Sequence, residues 1–199
     1  PTSSRRQRQM CIRDRPEGAV FVGVMMGAND QEYVLASDTG YGFVTQFEEL
    51  TSKNRAGKAV LTVPAGGQVL RPARVPDANH DDIHVAVVTT GGHLLIHPLT
   101  ELPTLGRGKG VKLIQIPPAL LKSREETVAA IACLTLDDQV TIIAGKRHLT
   151  LKPKDLENYR LGRGRRGRLL PRGLRRVDAL EVVSRMGSAE ETDIDADET

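Results

Sequence analysis

The stretch Val85-Ala-Val-Val-Thr-Thr-Gly-Gly-His-Leu-Leu-Ile96 holds two apolar runs separated by a pair of glycines. Short runs rich in Val, Ile, Leu and Thr predict β-strands, and the glycine pair between them predicts a turn. The same pattern occurs before this stretch, at residues 34–47, and after it, at residues 140–151. The sequence therefore predicts a chain built from repeated β-hairpins.

The hairpins belong to a longer repeat. Each one leads to an acidic residue followed by leucine, and these leucines are Leu50, Leu102 and Leu156, which lie 102 − 50 = 52 and 156 − 102 = 54 residues apart. A loop rich in basic residues and then another apolar run follow each leucine. A period of about 50 residues with about four strands per unit is typical of propeller-like blades.

We therefore predict an all-β fold with about three four-stranded blades, at residues 32–76, 84–135 and 139–183. Because closed propellers usually have about four to eight blades, three blades form only part of a disc. The apolar run at residues 19–26 resembles a strand of an earlier blade, so we expect this sequence to be the C-terminal part of a longer protein. One helical turn is expected at residues 118–124. The predicted strands are 19–26, 33–37, 42–47, 58–63, 69–75, 84–90, 93–97, 112–116, 128–135, 140–144, 148–152 and 177–183.

Charge is distributed unevenly along the 199 residues, although the net charge is only +3. Residues 146–176 contain twelve Lys and Arg against two acids, a balance of 12 − 2 = +10, whereas residues 189–199 contain six acids and no base. Such clustering favours a polyanionic partner, for which the acidic end could compete. We expect residues 1–15 to be a non-native or disordered basic arm, residues 16–186 to fold, and residues 187–199 to be a disordered acidic tail.

The basic residues concentrate at one equivalent point of each repeat. We name these segments basic loop 1 (residues 53–58), basic loop 2 (residues 106–110) and basic loop 3 (residues 162–168). Equivalent loops on successive blades fall on one rim of a disc, where Arg and Lys can neutralise phosphates and glycine lets the backbone come close. The alternative is that these are ordinary solvated surface turns.

Other kinds of chemistry find little support in the sequence. Cys11 and Cys133 are too few for a disulfide framework, which favours a reducing compartment, and no apolar run is long enough to cross a membrane. The pairs His80/His84 and His93/His97 would lie about 13 Å apart along a strand, too far to share one metal ion. No nucleophile, base and orienting group occur together, so we predict no catalytic residues.

Five segments together resemble the C-terminal domains of bacterial type II topoisomerases, in the A subunit of topoisomerase IV (ParC) and in its relative, the A subunit of gyrase. They are Leu35-Ala-Ser-Asp-Thr-Gly-Tyr-Gly-Phe-Val44, Asn54-Arg-Ala-Gly-Lys-Ala59, Gly106-Arg-Gly-Lys-Gly110, Gly145-Lys-Arg147 and Gly162-Arg-Gly-Arg-Arg-Gly167. The resemblance runs from about Gly18 to Val183. The Gln-Arg-Arg-Gly-Gly-Lys-Gly box of the gyrase domain is absent, which favours the topoisomerase IV branch, although a chain without the first blades would lack it in either branch.

The resemblance implies a β-pinwheel, in which neighbouring blades exchange strands, and it implies binding and bending of duplex DNA along the outer rim. It implies that the whole enzyme relaxes and decatenates DNA with ATP and Mg²⁺ in other domains or subunits, so that this part needs no cofactor of its own. The implied partners are duplex DNA, ParE and a second copy of ParC in a heterotetramer. The implied location is the cytoplasm and the nucleoid, with peripheral association at the inner membrane as an alternative.

Carried over by motif, the expected DNA contacts lie in the three basic loops and in the turn of the third hairpin. They are Lys53, Arg55, Lys58, Arg107, Lys109, Lys112, Lys146, Arg147, Arg163, Arg165, Arg166 and Arg168. Two other classes of function stay open, a propeller-like module that binds an acidic protein and an enzyme that acts on phosphates. The equivalent domain of gyrase is the nearest alternative within the family.

Overall fold

The computed structural model describes residues 20–54 and 57–183, so the basic arm predicted at residues 1–15 and the acidic tail predicted at residues 187–199 lie outside it. Eleven strands and three short α-helices are formed in this part of the chain. The strands are β1 (Glu32–Ala36), β2 (Tyr41–Gln46), β3 (Ala73–Arg74), β4 (Ile83–Thr89), β5 (His93–Pro98), β6 (Val111–Lys112), β7 (Val128–Thr135), β8 (Gln139–Ala144), β9 (Arg147–Leu151), β10 (Arg168–Leu169) and β11 (Ala179–Val183). The helices are α1 (Phe47–Leu50), α2 (Pro118–Lys122) and α3 (Pro153–Leu156).

The predicted hairpins form the middle of the first two sheets, and in the third the hairpin lies at one edge. The sheets have the strand orders β3-β1-β2-β6, β10-β5-β4-β7 and β11-β8-β9, and all their pairings are antiparallel. We call them blades 1, 2 and 3. The all-β fold class is therefore confirmed. Within the described residues, blade 3 has three strands where blades 1 and 2 have four.

The outermost strand of blades 1 and 2 comes from the next repeat. β6 follows the second hairpin along the chain but pairs with β2, with Val111 opposite Gly42. In the same way β10 follows the third hairpin but pairs with β5, with Arg168 opposite Leu94. We call β6 and β10 exchange strands, and we call residues 58–63, at the same position of the first repeat, its exchange segment. A blade in space therefore differs from a repeat in the sequence, because each repeat completes the blade before it.

The core lies between neighbouring blades. One cluster of buried aliphatic side chains joins blade 1 to blade 2 and includes Val44, Val85 and Leu113. A second joins blade 2 to blade 3 and includes Leu94 and Ile142. A third, smaller cluster on blade 1 contains Tyr33, Leu35 and Phe43. Because the two larger clusters join neighbouring blades, packing energy is shared between repeats.

Two predicted strands are absent, and both lack a partner strand. Residues 20–26, the described part of the predicted strand at residues 19–26, are not a strand, and Val20, Val24 and Met26 are 79%, 84% and 77% exposed. Residues 58–63 form only one isolated bridge, from Leu61 to Gly108. An apolar run becomes a strand only when a neighbouring strand pairs with its backbone over several residues, and within the described residues the backbone of residues 58–63 pairs with Gly108 alone.

The other predicted elements are present with shifted ends. The strand predicted at residues 69–75 is reduced to β3, and the strand predicted at residues 112–116 is reduced to β6. The predicted helical turn is α2. β10 was not predicted as a strand, because two residues within an Arg-rich loop carry no alternating pattern.

Candidate nucleic-acid interface

Basic loops 2 and 3 each leave and rejoin the outer edge of a blade. After the second hairpin, the amide of Val44 in β2 donates to the carbonyl of Pro103 at 3.0 Å, and the amide of Leu105 donates back to the carbonyl of Val44 at 2.8 Å. The chain then leaves this edge as basic loop 2 and returns as β6. Basic loop 3 repeats the path on blade 2, where the amide of Leu161 donates to the carbonyl of Ile96 at 3.0 Å.

Basic loop 2 also docks on the exchange segment of the first repeat. The amide of Gly108 donates to the carbonyl of Val60, and the amide of Thr62 donates to the carbonyl of Gly108, both at 2.8 Å. The segment of residues 58–63 therefore connects basic loop 1, which precedes it, to basic loop 2, which lies against it.

Basic loop 3 docks in the same way on the residues that directly follow β6 in the second repeat. The amide of Gly164 donates to the carbonyl of Leu113 at 2.8 Å, and the amide of Gln115 donates to the carbonyl of Arg165 at 2.9 Å. Basic loop 2 thus contacts the segment that follows basic loop 1, and basic loop 3 contacts the residues that follow basic loop 2. We call the edge that carries these loops the rim.

One glycine in each loop has the same backbone conformation. Gly57, Gly110 and Gly167 have φ values of +81°, +76° and +79°. A Cβ atom at Gly110 would overlap the carbonyl of Gly42, and a Cβ atom at Gly167 would lie 2.7 Å from the carbonyl oxygen of Leu94. These glycines let the exchange strand approach the blade, whereas a Cβ atom at Gly57 meets no atom within 4 Å.

Six of the predicted contacts are exposed cations on the rim. Lys109 extends over the ring of Tyr41, with its Nζ atom 3.8 Å from the ring centroid, so this ammonium is held in place by a cation–π contact. Within the described residues, the other five make no ion pair. The six exposed cations are Lys53, Arg107, Lys109, Lys112, Arg165 and Arg168.

Three other predicted contacts are held by protein groups. The ammonium of Lys58 lies 3.3 Å from a carboxylate oxygen of Glu49. The amide of Arg163 donates to Glu101 at 2.8 Å, and its Nη1 atom donates to the carbonyl of Lys112 at 2.9 Å. The third is Arg166, which forms an ion pair with Glu126. Arg55 lies outside the described residues.

Arg166 is anchored to a buried carboxylate. Its Nη2 atom lies 2.5 Å from Glu126, whose side chain is 5% exposed. Glu126 also accepts a hydrogen bond from the hydroxyl of Thr89 at 2.6 Å and lies 3.1 Å from Nδ1 of His93. Arg166 donates as well to the carbonyl of Gln115 at 3.2 Å. Basic loop 3 is therefore fastened to blade 2 through Arg166.

The buried cluster around Glu126 keeps this carboxylate ionised. Burial alone would raise the pKa of Glu126, but the hydrogen bonds and charge of Arg166, with the hydroxyl of Thr89, outweigh burial and lower the pKa. Burial, followed by the charge of Arg166, lowers the pKa of His93. The sequence analysis did not identify Glu126, because an acid within Glu125-Glu126 resembles a solvated surface residue.

The remaining two predicted contacts, Lys146 and Arg147, lie in the turn of the third hairpin. They line a cavity with Arg175 and Arg176, which the sequence analysis did not select as contacts. The only sequence signal for the second pair was the excess of positive charge over residues 146–176.

Comparison with known proteins points to one family. The family described as "DNA gyrase C-terminal domain, beta-propeller" matches residues 31–76 and 84–134. The chain is 48% identical over 167 residues to the A subunit of DNA topoisomerase 4 from Pseudomonas aeruginosa, and 41% identical over 169 residues to that from Escherichia coli K12. These matches cover 84% and 85% of the chain, and the chain spans about a fifth of each relative, 22% in both.

Solved structures agree with the sequence matches. The structure of the E. coli ParC C-terminal domain superposes with a TM-score of 0.75 at 39% identity, covering 85% of this chain and 67% of that one. A DNA gyrase A C-terminal domain superposes with a TM-score of 0.66 at 13% identity, covering 85% and 55%, which shows a shared fold alone. None of the helices in the described ranges is long and apolar enough to span a membrane.

Proposed function

The chain belongs to the family of C-terminal domains found in DNA gyrase and topoisomerase IV, and from this membership we propose that it binds duplex DNA along the rim and bends it. The proposal rests on one observation, the docking of basic loops 2 and 3 on the backbone of the repeat before each of them. This arrangement produces a row of exposed cations on a curved edge, where each phosphate contact releases counterions.

The cations of the rim divide into two roles. Arg165 and Arg168 are exposed and free to contact phosphates, together with Arg107, Lys109 and Lys112 of the preceding repeat. Arg163 and Arg166 hold the loop in position, because their side chains bond to the protein. Such a row of cations recognises DNA through its backbone charge and its ability to bend. Binding therefore depends little on base sequence.

We propose that, within a complete type II topoisomerase, this domain is the part that holds the DNA. In that enzyme it presents the transported segment for relaxation and decatenation, while ATP and Mg²⁺ act in other domains or in ParE. The heterotetramer with ParE and a second copy of ParC, action at the nucleoid and a part in chromosome segregation belong to the same proposal. The topoisomerase IV branch is favoured because the chain is 48% and 41% identical to two A subunits of DNA topoisomerase 4.

The experiment compares two double variants that remove the same charge. Arg165→Ala/Arg168→Ala removes exposed rim cations, and Arg71→Ala/Lys122→Ala removes exposed cations elsewhere. Affinity for a duplex is measured across a salt series. The rim variant should weaken binding on every sequence and reduce the slope of log affinity against log salt by about 1.8, or about 0.9 for each phosphate. Equal effects of the two variants would contradict a rim site.

A further inference from the structure

The hairpin turns of the three blades carry different charges. The turn of blade 1 contains Asp38, the turn of blade 2 contains Gly91 and Gly92, and the turn of blade 3 contains Lys146 and Arg147. Past each turn runs the segment that links an exchange strand to the innermost strand of the next blade. These are crossing segment 2 (residues 113–127) and crossing segment 3 (residues 170–178).

At blade 1 the turn and its crossing segment neutralise each other. Arg124 of crossing segment 2 donates to a carboxylate oxygen of Asp38 at 2.6 Å, and the side chain of Asp38 is 6% exposed. The other carboxylate oxygen of Asp38 accepts the amide of Gln68 at 2.8 Å. No excess charge results from this pairing.

At blade 3 the turn and crossing segment 3, which arrives from blade 2, bring together four cations and one acid. Lys146 and Arg147 from the turn, with Arg175 and Arg176 from crossing segment 3, line a cavity of about 580 Å³. Among residues 20–54 and 57–183, none of the four has an ion pair or a hydrogen bond from its side chain. We call this cavity the blade 3 pocket.

One acid, Asp178, also lines the blade 3 pocket, and its carboxylate is hydrogen-bonded to the backbone. A carboxylate oxygen of Asp178 accepts the amide of Gly145 at 2.6 Å, which fastens crossing segment 3 to the turn. Gly173 has a φ of +97°, and a Cβ atom there would overlap the guanidinium of Arg147. The backbone therefore holds four like charges around one concave space. Their mutual repulsion falls when an anion enters the space.

The blade 3 pocket is continuous with the rim along the chain. Arg168 ends basic loop 3 and lies in β10, and crossing segment 3 runs from there to the pocket through Arg172, which is exposed. A phosphate backbone that contacts Arg168 on the rim can follow these cations over the hairpin end of blade 3.

We propose that the blade 3 pocket is a second phosphate-binding site, at which Lys146, Arg147, Arg175 and Arg176 hold the duplex after it leaves the rim. The inference rests on the proposed function, because the ligand is the backbone of the same DNA. Since the turn of blade 1 is neutralised by the Asp38–Arg124 pair, we expect the DNA path to tilt towards the hairpin face at blade 3 and not at blade 1.

The test uses Arg175→Ala/Arg176→Ala in the full 199-residue chain, with Arg71→Ala/Lys122→Ala as the charge-matched control. The probe is a duplex of about 40 base pairs, long enough to extend past the rim, and affinity is measured across a salt series. The pocket variant should bind about tenfold more weakly and reduce the salt slope by about 1.8, while the control stays near wild type. Arg175→Lys/Arg176→Lys should restore the slope, because the pocket acts through charge.

The outcomes separate this inference from the proposed function. If the pocket variant matches the control while Arg165→Ala/Arg168→Ala loses affinity, the pocket does not bind DNA and the rim proposal stands. If the control loses as much as the pocket variant, the effect is one of net charge and the pocket is likewise rejected. If the unmodified chain does not bind the duplex at low salt, both proposals fail together.

Discussion

At the scale of single residues, the contact between Arg166 and Glu126 decides how firmly basic loop 3 is held. Glu126 is buried and satisfies the hydroxyl of Thr89, the imidazole of His93 and the guanidinium of Arg166 at once. Removing one partner of a buried charged cluster leaves the other polar groups without compensation. An arginine predicted as a DNA contact is thus also part of the scaffold.

Glu126→Ala should therefore lower the free energy of unfolding by about 2–4 kcal/mol, because a buried pair is broken and partner groups are left unsatisfied. The neighbouring Glu125→Ala removes the same charge from an exposed site and should change stability by less than about 0.5 kcal/mol. Urea unfolding at neutral pH measures both values. Similar losses in the two variants would show that the cluster around Glu126 contributes little.

Buried histidines predict a pH dependence of stability. Burial lowers the pKa of His84 and of His97 below 6.5. As the pH falls, the two histidines bind protons at a higher pH in the unfolded chain than in the folded chain, because their pKa is lowered by folding. The free energy of unfolding is therefore greatest above pH 6.5 and falls as the pH drops towards the lowered pKa values of the folded chain. Each histidine contributes a slope of up to about 1.4 kcal/mol per pH unit in that window.

The test is urea unfolding of the unmodified chain, His97→Gln and His148→Gln at a series of pH values below neutrality. His97→Gln should reduce the slope, because it removes a buried titrating group. The exposed control His148→Gln should retain the slope of the unmodified chain. An unchanged slope in His97→Gln would show that this imidazole does not contribute.

At the scale of elements, the exchange strands depend on the equivalent glycines that precede them. Gly110→Ala should lower the free energy of unfolding by about 2–4 kcal/mol, because a left-handed φ and an overlap with the carbonyl of Gly42 act together. Gly57→Ala has a similar φ but open space, so it should lower it by about 1 kcal/mol. Thermal or urea unfolding measures the stability of both variants. Equal losses of stability in Gly110→Ala and Gly57→Ala would mean that the close approach at Gly110 does not contribute to the free energy of unfolding.

Much of the element level could be predicted from the sequence, because hairpins are local. The alternation around Gly91 and Gly92 predicted β4 and β5, and the strand predicted at residues 128–135 has the ends of β7. What the sequence did not predict depends on partners distant along the chain. The residues at 58–63 have strand composition but only an isolated bridge, and Arg168 joins a strand because β5 offers it an edge.

The candidate site likewise has features that could be predicted from the sequence and features that could not. Its basic loops could be predicted from the repeat, because composition and spacing both mark them. The separate roles of Arg165, exposed, and Arg166, anchored to Glu126, could not be predicted, since adjacent arginines in one loop look alike until the buried carboxylate is placed. The blade 3 pocket arises from two segments about thirty residues apart, which meet only in the folded chain.

At the scale of the whole molecule, positive and negative charge occupy different surfaces. Another cavity, of about 830 Å³, lies near the start of β4, and its charged lining is mostly acidic, with Asp77, Asp81, Asp82, Asp137 and Asp138 beside Arg160 and His84. Such a surface repels a phosphate backbone, so the acidic cavity and the basic rim together restrict where DNA can run. The path of DNA expected from this distribution follows the rim and ends at the hairpin side of blade 3.

The central claim is that the rim bends duplex DNA, and end-to-end energy transfer tests it most directly. A duplex of about 40 base pairs, labelled at both ends, is nearly straight when free, because DNA remains stiff over about 150 base pairs. Titrating the chain at about 50 mM salt should produce a saturable shortening that is lost at about 200 mM salt and in Arg165→Ala/Arg168→Ala. Saturable binding without shortening, or no binding at the lower salt concentration, would contradict the claim.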